Sequence, residues 1–371
     1  MYIKSISYLL LFTIVFGFSI NSASAKAKKP VKIGIIGLTH SHVNGVLRRP
    51  DIGDIEIVGI VETNLELADR IFKRYNIPKS KLYPSIEALV KANKPDAVTA
   101  FNSIFEHLEV VQKCAPLGIH VMVEKPLSFS MEHANEMHAL AKKHNIHLLT
   151  NYETTWYATN HKIYDMVNND KSLGSLRKLV VHDGHQGPKE IGVYEEFLSW
   201  LTDPKYNGGG AIIDFGCYGA NLITWLMNGE RPIAVTAVTQ QMKPDIYPKV
   251  DDEATIILTY PKTQGVIQAS WNWTFSRKDM EVYGTDGYAI AFNKSELRYR
   301  LQKKEPEASM KLENREGAYG DPFAYFAGVI NKEIKPLPYD LSSLENNMIV
   351  VEILDAAIKS AKSGKKVDLK K

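Results

Sequence analysis

The chain has 371 residues, 44% of them hydrophobic and 23% charged, which excludes a disordered or fibrous protein and allows two domains with their own cores. A formal charge of +3 excludes a nucleic-acid binder that works through a basic stripe, and the locally basic tail KSGKKVDLKK reads as a solvated segment.

Residues 1–25 read as a signal peptide. Lys4 precedes an almost wholly apolar run from Tyr8 to Ile20, and Ala23-Ser24-Ala25 places small residues where a signal peptidase reads, so cleavage is expected before Lys26. A retained anchor is the alternative, since the run is only slightly short of a membrane span. No nearby cysteine invites lipidation, and no Arg-Arg pair marks export in the folded state. The mature chain is expected in the periplasm with no stable membrane anchor after cleavage. Cys114 and Cys217 lack C-x-x-C company and are expected as free buried thiols, with pairing left open.

Short apolar runs rich in β-branched residues follow: VKIGIIG, IEIVGIV, DAVTAF, IHVMVEK and IHLLT. Helical stretches such as LELADRIFKRY, SIEALVKA, HLEVVQKCAPL and MEHANEMHALAKKH separate them. Strands apolar throughout and joined by helices predict a parallel sheet covered on both faces. The expected architecture is an α/β Rossmann domain over residues 31–150, with any ligand at the carboxyl ends of its strands.

Past Thr150 the pattern changes. LRKLVVHDGH, PIAVTAVTQQ, EATIILTY, GVIQASWNW, DMEVYG and YAIAF are joined mostly by turns. In GVIQASWNW, Ile267, Ala269, Trp271 and Trp273 fall on one face, and Gln268, Ser270 and Asn272 on the other. That alternation suits an antiparallel sheet with two unlike faces. Leu344, Met348, Val351, Leu354, Ile358 and Ala361 recur at helical spacing near the end. Residues 151–371 are therefore expected to form an α+β domain with a large, mainly antiparallel sheet and a C-terminal helix. The sheet's open face suits a homodimer or homotetramer.

Several stretches carry chemistry. GLTHSH, residues 37–42, turns from the first strand into a helix, the setting of a G-x-G-x-x-G phosphate loop of which only Gly37 is present. Glu62 ends the second strand, where a carboxylate bonds the adenosine ribose and repels a 2′-phosphate, favouring NAD over NADP. In VEKPLS, Pro126 holds Lys125 extended and aims it over the sheet edge; an ordinary surface lysine is the bland reading. In GGGAIIDFGCYGANLITWLM, residues 208–227, Asp214 and Tyr218 share one face of a helical turn. Capping by Asp214 and packing by Tyr218 explain them equally well.

Together, the Rossmann turn, E-K-P and G-G-G-x-x-x-D-x-G resemble the Gfo/Idh/MocA oxidoreductases. His107 and Glu109 in EHLEVV, the GTDG turn at 284–287 and the closing helix running into SAKSGKKVDL extend the resemblance from Val31 to Leu369. It implies a site between the two domains, with NAD (NADP possible) held by Gly37, Thr39, His40, Glu62, Asn102, His107, Glu124 and Lys125. By the same resemblance, Lys125 orients and polarises the reacting hydroxyl, and Asp214 orients its neighbours. Tyr218, standing where many members have histidine, exchanges the hydroxyl proton, its phenolate favoured by the Lys125 ammonium. Asn221 stands where many members have a second aspartate.

The loop departs from the pattern at Thr39 and His42, which replace its second and third glycines. Thr39 is expected to donate to a phosphate oxygen and His40 to add a donor. His42 is expected to tilt outward or to fill a wider helix–sheet gap. Spacing offers His40 and His42 no third ligand, so no metal is expected. Tyr152, Trp156 and His185 are candidate substrate contacts, each explained as well by packing or by a satisfied structural histidine. Trp271 and Trp273 read as packing residues, and Arg277 and Lys278 as edge-strand charges.

The expected function is an exported NAD(P)-dependent oxidoreductase that transfers hydride to or from a sugar, polyol or glycoside, its small carbohydrate partner. A redox-neutral NAD-dependent lyase or glycosidase is one alternative. A non-catalytic sugar-binding protein on the same scaffold is the other.

Overall fold

The computed structural model describes residues 29–369, so the expected signal peptide lies outside the described residues. Strands β1 (Val31–Ile36), β2 (Ile55–Val61), β3 (Leu82–Tyr83), β4 (Ala97–Ala100), β5 (His120–Glu124) and β6 (Leu148–Asn151) form one parallel sheet in the order β3-β2-β1-β4-β5-β6. Helices α1 (Val43–Arg48), α2 (Leu65–Tyr75), α3 (Ile86–Asn93), α4 (His107–Cys114) and α5 (Met131–His144) connect them. Asn64, Ser85 and Ser130 cap α2, α3 and α5 by accepting from backbone amides of the first turn. Strand order reverses between β1 and β4, which opens the crevice where such sheets bind ligands. Gly37 turns the chain there at φ 78°, and a Cβ on it would lie 2.8 Å from the Asn102 Cβ.

Helix α6 (Ala158–Tyr164) leads into a second sheet built from β7 (Leu176–Gly184), β8 (Ala234–Gln240), β9 (Glu253–Thr259), β10 (Gln264–Ser270), β11 (Arg277–Gly284), β12 (Tyr288–Ala291), β13 (Glu296–Arg300), β14 (Ala308–Lys311) and β15 (Val367–Asp368). Its order is β14-β13-β12-β11-β7-β10-β9-β8-β15, antiparallel throughout except for β7 beside β10. Between β7 and β8 lie α7 (Glu195–Leu201), α8 (Pro204–Asn207), α9 (Ala211–Asp214) and α10 (Gly216–Leu226). Helices α11 (Pro322–Ile330) and α12 (Leu344–Ser363) follow the last long strand.

Leu179, Val181, Ile267, Ala269, Met280 and Val282 face a core shared with α10 and α12. His182, Thr255, Gln268, Asp279 and Glu281 occupy the opposite face, half-buried. The alternation read through Trp273 ends earlier. Strand β10 stops at Ser270, Trp271 is buried, and Trp273 lies under the Arg277 guanidinium and 6.1 Å from His182. Helix α11, within the stretch expected to form the second domain, places Phe323, Phe326 and Val329 in the core built on Ile33 and Ile60 of the first sheet. Cys114 and Cys217 are free and buried in separate cores. Among the described residues no helix is long and apolar enough to cross a membrane.

The glycine run at 208–210 answers to a close backbone approach. A Cβ on Gly210 would overlap the Asp251 carbonyl, and the Asp251 carboxylate accepts from Gly210 N at 2.9 Å and Ile212 N at 2.8 Å. Gly210→Ala is therefore expected to destabilise the fold by about 1–3 kcal/mol, read as a lower urea midpoint; an unchanged midpoint would show that this approach relaxes freely.

Burial holds His107, His161 and His185 down to about 4. The unfolded chain takes up those protons near pH 6.5, and the folded chain only near pH 4. Stability is therefore expected to fall as pH drops through that window, by up to about 1.4 kcal/mol per histidine per pH unit. Asp183, whose carboxyl burial raises well above its ordinary value, acts with the opposite sign and offsets one histidine. A urea midpoint at pH 5.5 equal to or above that at pH 7 would contradict this balance.

Candidate active site

Lys125 follows β5, and its side chain is buried, unlike an ordinary surface lysine. The ammonium lies 2.5 Å from Asp214 Oδ1 and donates to the Asp214 carbonyl at 3.0 Å. Asp214 ends α9, and a break at Phe215 separates it from α10, so it does not cap that helix. Its other carboxylate oxygen accepts from Trp271 Nε1 at 2.9 Å. Burial disfavours both charges, yet each sustains the other. The Lys125 ammonium holds Asp214 below the usual carboxylate range, and Asp214 holds Lys125 above the ordinary amine value.

Tyr218 stands in the first turn of α10. Lys125 Nζ lies 5.2 Å from its ring centroid and Lys278 Nζ 5.0 Å. Lys125 thus faces the ring, with its charge engaged by Asp214. Burial first, then the carboxylates of Glu153, Asp214 and Asp183, push the phenol well above its ordinary value. This corrects the expectation of a phenolate: the surroundings hold the proton on the Tyr218 phenol rather than drawing it off. It can donate to a carbonyl oxygen, and it can take up a hydroxyl's proton only while passing its own on.

Tyr152 packs edge-on behind Tyr218 at 5.5 Å, fully buried, with its hydroxyl beside the Cys217 thiol, so it supports Tyr218 from within the core and does not line a cleft. His185 comes to the site, its ring 4.9 Å from Phe215 and its Nδ1 accepting from Gly187 N. Trp156 does not: its indole donates to Asn151 at 3.3 Å and its ring packs against Tyr325. Asn221 has a structural role, donating to the Leu341 carbonyl at 2.8 Å. Lys278, read as an edge charge, pairs with Glu153, which also accepts from Tyr157 at 2.6 Å. Burial opposes the Glu153 charge, but Lys278 holds that carboxyl down to about 2. Sequence reading missed Trp271, Glu153 and Asp183 as parts of this cluster; the period-two face shared by Leu179, Val181 and Asp183 was the available signal for the last.

A cavity of about 340 Å³ opens at the carboxyl ends of β1, β2 and β4, lined among others by Gly37, Thr39, Glu62, Asn64, Asn102 and Glu106. Glu62 accepts from Leu38 N at 2.9 Å and Asn64 N at 2.8 Å, so it also ties the loop to β2, and burial raises its carboxyl. Asn102 Oδ1 and His107 Nε2 are buried without partners. An acid at the end of β2, an orphaned amide oxygen and a turn that a Cβ would fill together fit the adenosine end of a dinucleotide.

The middle of the loop departs from expectation. The Thr39 hydroxyl donates to the Phe101 carbonyl at 3.2 Å and accepts from Trp200 Nε1 at 3.0 Å, so its proton is not free for a phosphate. His40 is buried under Phe197, ring centroids 4.5 Å apart, and its Nδ1 accepts from His42 N. His42 reaches Glu124, Nδ1 to Oε2 2.8 Å, and the other Glu124 oxygen accepts from Asn151. His40, His42 and Glu124 bring their ligand atoms within 4.8 Å of one another, a third neighbour that spacing did not reveal. Hydrogen bonds among the three account for the cluster. Arg70 bonds Glu196 at 2.8 Å and Arg74 bonds Tyr194 at 2.7 Å, which seats α7 over the loop.

Residues 31–152 match the model of the oxidoreductase family with an NAD-binding Rossmann fold, and residues 161–290 match the GFO/IDH/MocA C-terminal domain. Among curated relatives, trans-1,2-dihydrobenzene-1,2-diol dehydrogenase of Xenopus tropicalis is 29% identical over 58% of this chain and 61% of its own length. The same enzyme of Sus scrofa is 25% identical over 68% of this chain and 71% of its own length. The match thus spans about three fifths of the frog relative. An inositol dehydrogenase homolog of Azotobacter vinelandii complexed with NAD+ superposes with a TM-score of 0.80 at 17% identity, covering 93% of this chain and 98% of that one. An aldose–aldose oxidoreductase of Caulobacter crescentus complexed with glycerol gives 0.76 at 20% identity, covering 92% and 100%. Both halves of the chain carry the same family's signature on the fold that family uses, and the chain belongs to the Gfo/Idh/MocA oxidoreductases.

Proposed function

We propose that the chain is an NAD-dependent oxidoreductase acting on a CH–OH group of a sugar, polyol or related diol. The observation that carries this reading is the buried Lys125–Asp214 pair beside Tyr218, set at the carboxyl end of β5 next to the dinucleotide crevice. The relatives support the substrate class, since their names specify a diol, an inositol and aldoses. Gly37, Glu62, Asn102 and His107 would hold the cofactor, which when bound supplies a carbon that takes or gives hydride.

The chain's own groups handle the oxygen and its proton. Lys125, aimed by Asp214, donates to the substrate oxygen and stabilises negative charge developing there. Tyr218 gives its proton to a carbonyl oxygen in reduction and takes the hydroxyl proton in oxidation, releasing its own. His185, neutral with Nδ1 engaged, offers Nε2–H to a further hydroxyl.

The reading includes export to the periplasm after cleavage before Lys26, and a homodimer or homotetramer formed through the open face of the second sheet. An exported enzyme meets no replenished nicotinamide pool, so it would acquire its cofactor after export and keep it through repeated turnover. Trp200 and Phe197 over Thr39 and His40 support retention.

A cofactor-free sugar-binding protein is the second reading, and one observation favours it. The Leu38, His40 and His42 amides, which would face a pyrophosphate, are taken by Glu62, Phe101 and His40.

Tyr218→Phe is expected to bind NAD+ as the wild type does and to lose about 10²- to 10⁴-fold in turnover. The assay follows NADH formation with myo-inositol, D-glucose and trans-1,2-cyclohexanediol; wild-type turnover in the variant would remove Tyr218 from proton transfer.

A further inference from the structure

We propose that Asp183 is a proton-relay residue for Tyr218, a buried carboxyl that returns a proton to the phenol after Tyr218 has protonated a substrate carbonyl. The inference rests on the oxidoreductase reading and deepens it, because Tyr218 must be the acid.

Asp183 stands near the end of β7, on the face it shares with Leu179 and Val181, which α10 covers. It is fully buried, and neither carboxylate oxygen has a hydrogen-bond partner. A structural aspartate in such a place is normally held by donors, and an unpartnered one is costly to keep. Strand register sets Asp183 opposite Lys278 of β11, so both project to the same side of the sheet. Lys278 in turn stands 5.0 Å from the centre of the Tyr218 ring. Asp183 and Tyr218 therefore flank one ammonium.

The charges around Asp183 come from every side. Glu153 and Tyr157 face it from the turn after β6, Lys278 from β11 and Lys125 from the end of β5. Tyr218 and Cys217 lie on α10, and Asp279 acts from the opposite face of β11. Burial is the largest influence and raises the carboxyl well above the usual range; Glu153 and Asp279 add to this and the lysines oppose it. Both lysines are engaged elsewhere, Lys125 by Asp214 and Lys278 by Glu153. Burial and the lack of any donor both favour the protonated carboxyl of Asp183, and the phenol's own neighbours likewise disfavour its anion.

In reduction, the carbonyl carbon receives hydride, and with it both electrons, from a reduced nicotinamide. The carbonyl oxygen gains its proton as the Tyr218 O–H bond breaks. The resulting phenolate is reprotonated as the Asp183 O–H bond breaks, the proton passing through one intervening water, leaving a carboxylate opposite Lys278. Asp183 must then reload from solvent, and the exposed members of the cluster are Glu153 and Lys278, with side chains 46% and 22% exposed. Oxidation reverses these steps and starts from ionised Asp183, so lower pH favours reduction and higher pH favours oxidation.

Asp183→Asn keeps the size and polarity of a neutral carboxyl without a transferable proton, and Asp183→Val removes the polar group should the amide disturb folding. The chain without residues 1–25 is assayed with NADH and D-glyceraldehyde, the smallest aldose, as the probe carbonyl. Either variant is expected to bind NADH and to fold at least as stably as the wild type, to keep KM, and to lose about 10- to 100-fold in kcat. The fall of reductive kcat at alkaline pH seen in the wild type should disappear from the variants. Infrared spectra at pH 7 should show a protonated-carboxyl band in the wild type that Asp183→Asn removes. Wild-type kcat and pH profile in both variants, or no such band, overturns the relay and leaves the oxidoreductase reading intact. If wild type and Tyr218→Phe alike oxidise no NADH, that reading falls and the relay falls with it.

Discussion

An ammonium carried by one domain and a carboxylate carried by the other, both nearly out of water, meet at 2.5 Å. Taking each from water costs several kcal/mol, and the contact persists because its geometry is closed on both sides. Asp214 gives one oxygen to Lys125 and the other to the Trp271 indole. Around this contact the end of β5 and the start of α10 are held in register, and with them every group that could meet a substrate oxygen. A lysine buried alone would shed its proton; this one keeps it because Asp214 is there. The same engagement leaves Lys125 unable to draw Tyr218 toward a phenolate, which burial and the carboxylates of Glu153, Asp214 and Asp183 already oppose.

The dinucleotide crevice combines two tendencies. Its adenosine end is open and lined by groups with unmet hydrogen-bonding capacity, notably Asn102 Oδ1. Its phosphate loop is internally bonded and roofed by Trp200 and Phe197 of α7. In the usual loop, glycines let backbone amides approach the pyrophosphate. Here side chains fill that space and bond one another, and His42 joins the loop to the strand that carries Lys125 through Glu124.

Much of the fold was legible because local signals agreed with one another. Strands apolar on both faces, with Asn64, Ser85 and Ser130 capping the intervening helices, lead to a parallel doubly wound sheet, and Ile267, Ala269 and Trp271 mark the inner face of the second. What stayed hidden depends on partners distant in sequence. Trp271 alternates with apolar neighbours and so reads as packing, although its N–H holds Asp214. The 82-residue separation of His42 and Glu124 hides their bond. The phenolate expected at Tyr218 failed because sequence shows neither how deeply the ring is buried nor that Glu153, Asp214 and Asp183 gather around it. Asp183 lies on a face that alternation marks as inward, yet only the assembled fold shows that no donor meets it.

The most direct test of a working nicotinamide site is a titration of the nucleotide-free chain with NADH, followed by energy transfer from tryptophan to the reduced nicotinamide. Trp200 touches the phosphate loop and Trp271 the Lys125–Asp214 pair, so an indole lies near each part of the crevice. A saturable signal reversed by NAD+ is the expected result. No saturable signal with either NADH or NADPH at millimolar concentration would contradict it and leave a sugar-binding protein on an oxidoreductase scaffold.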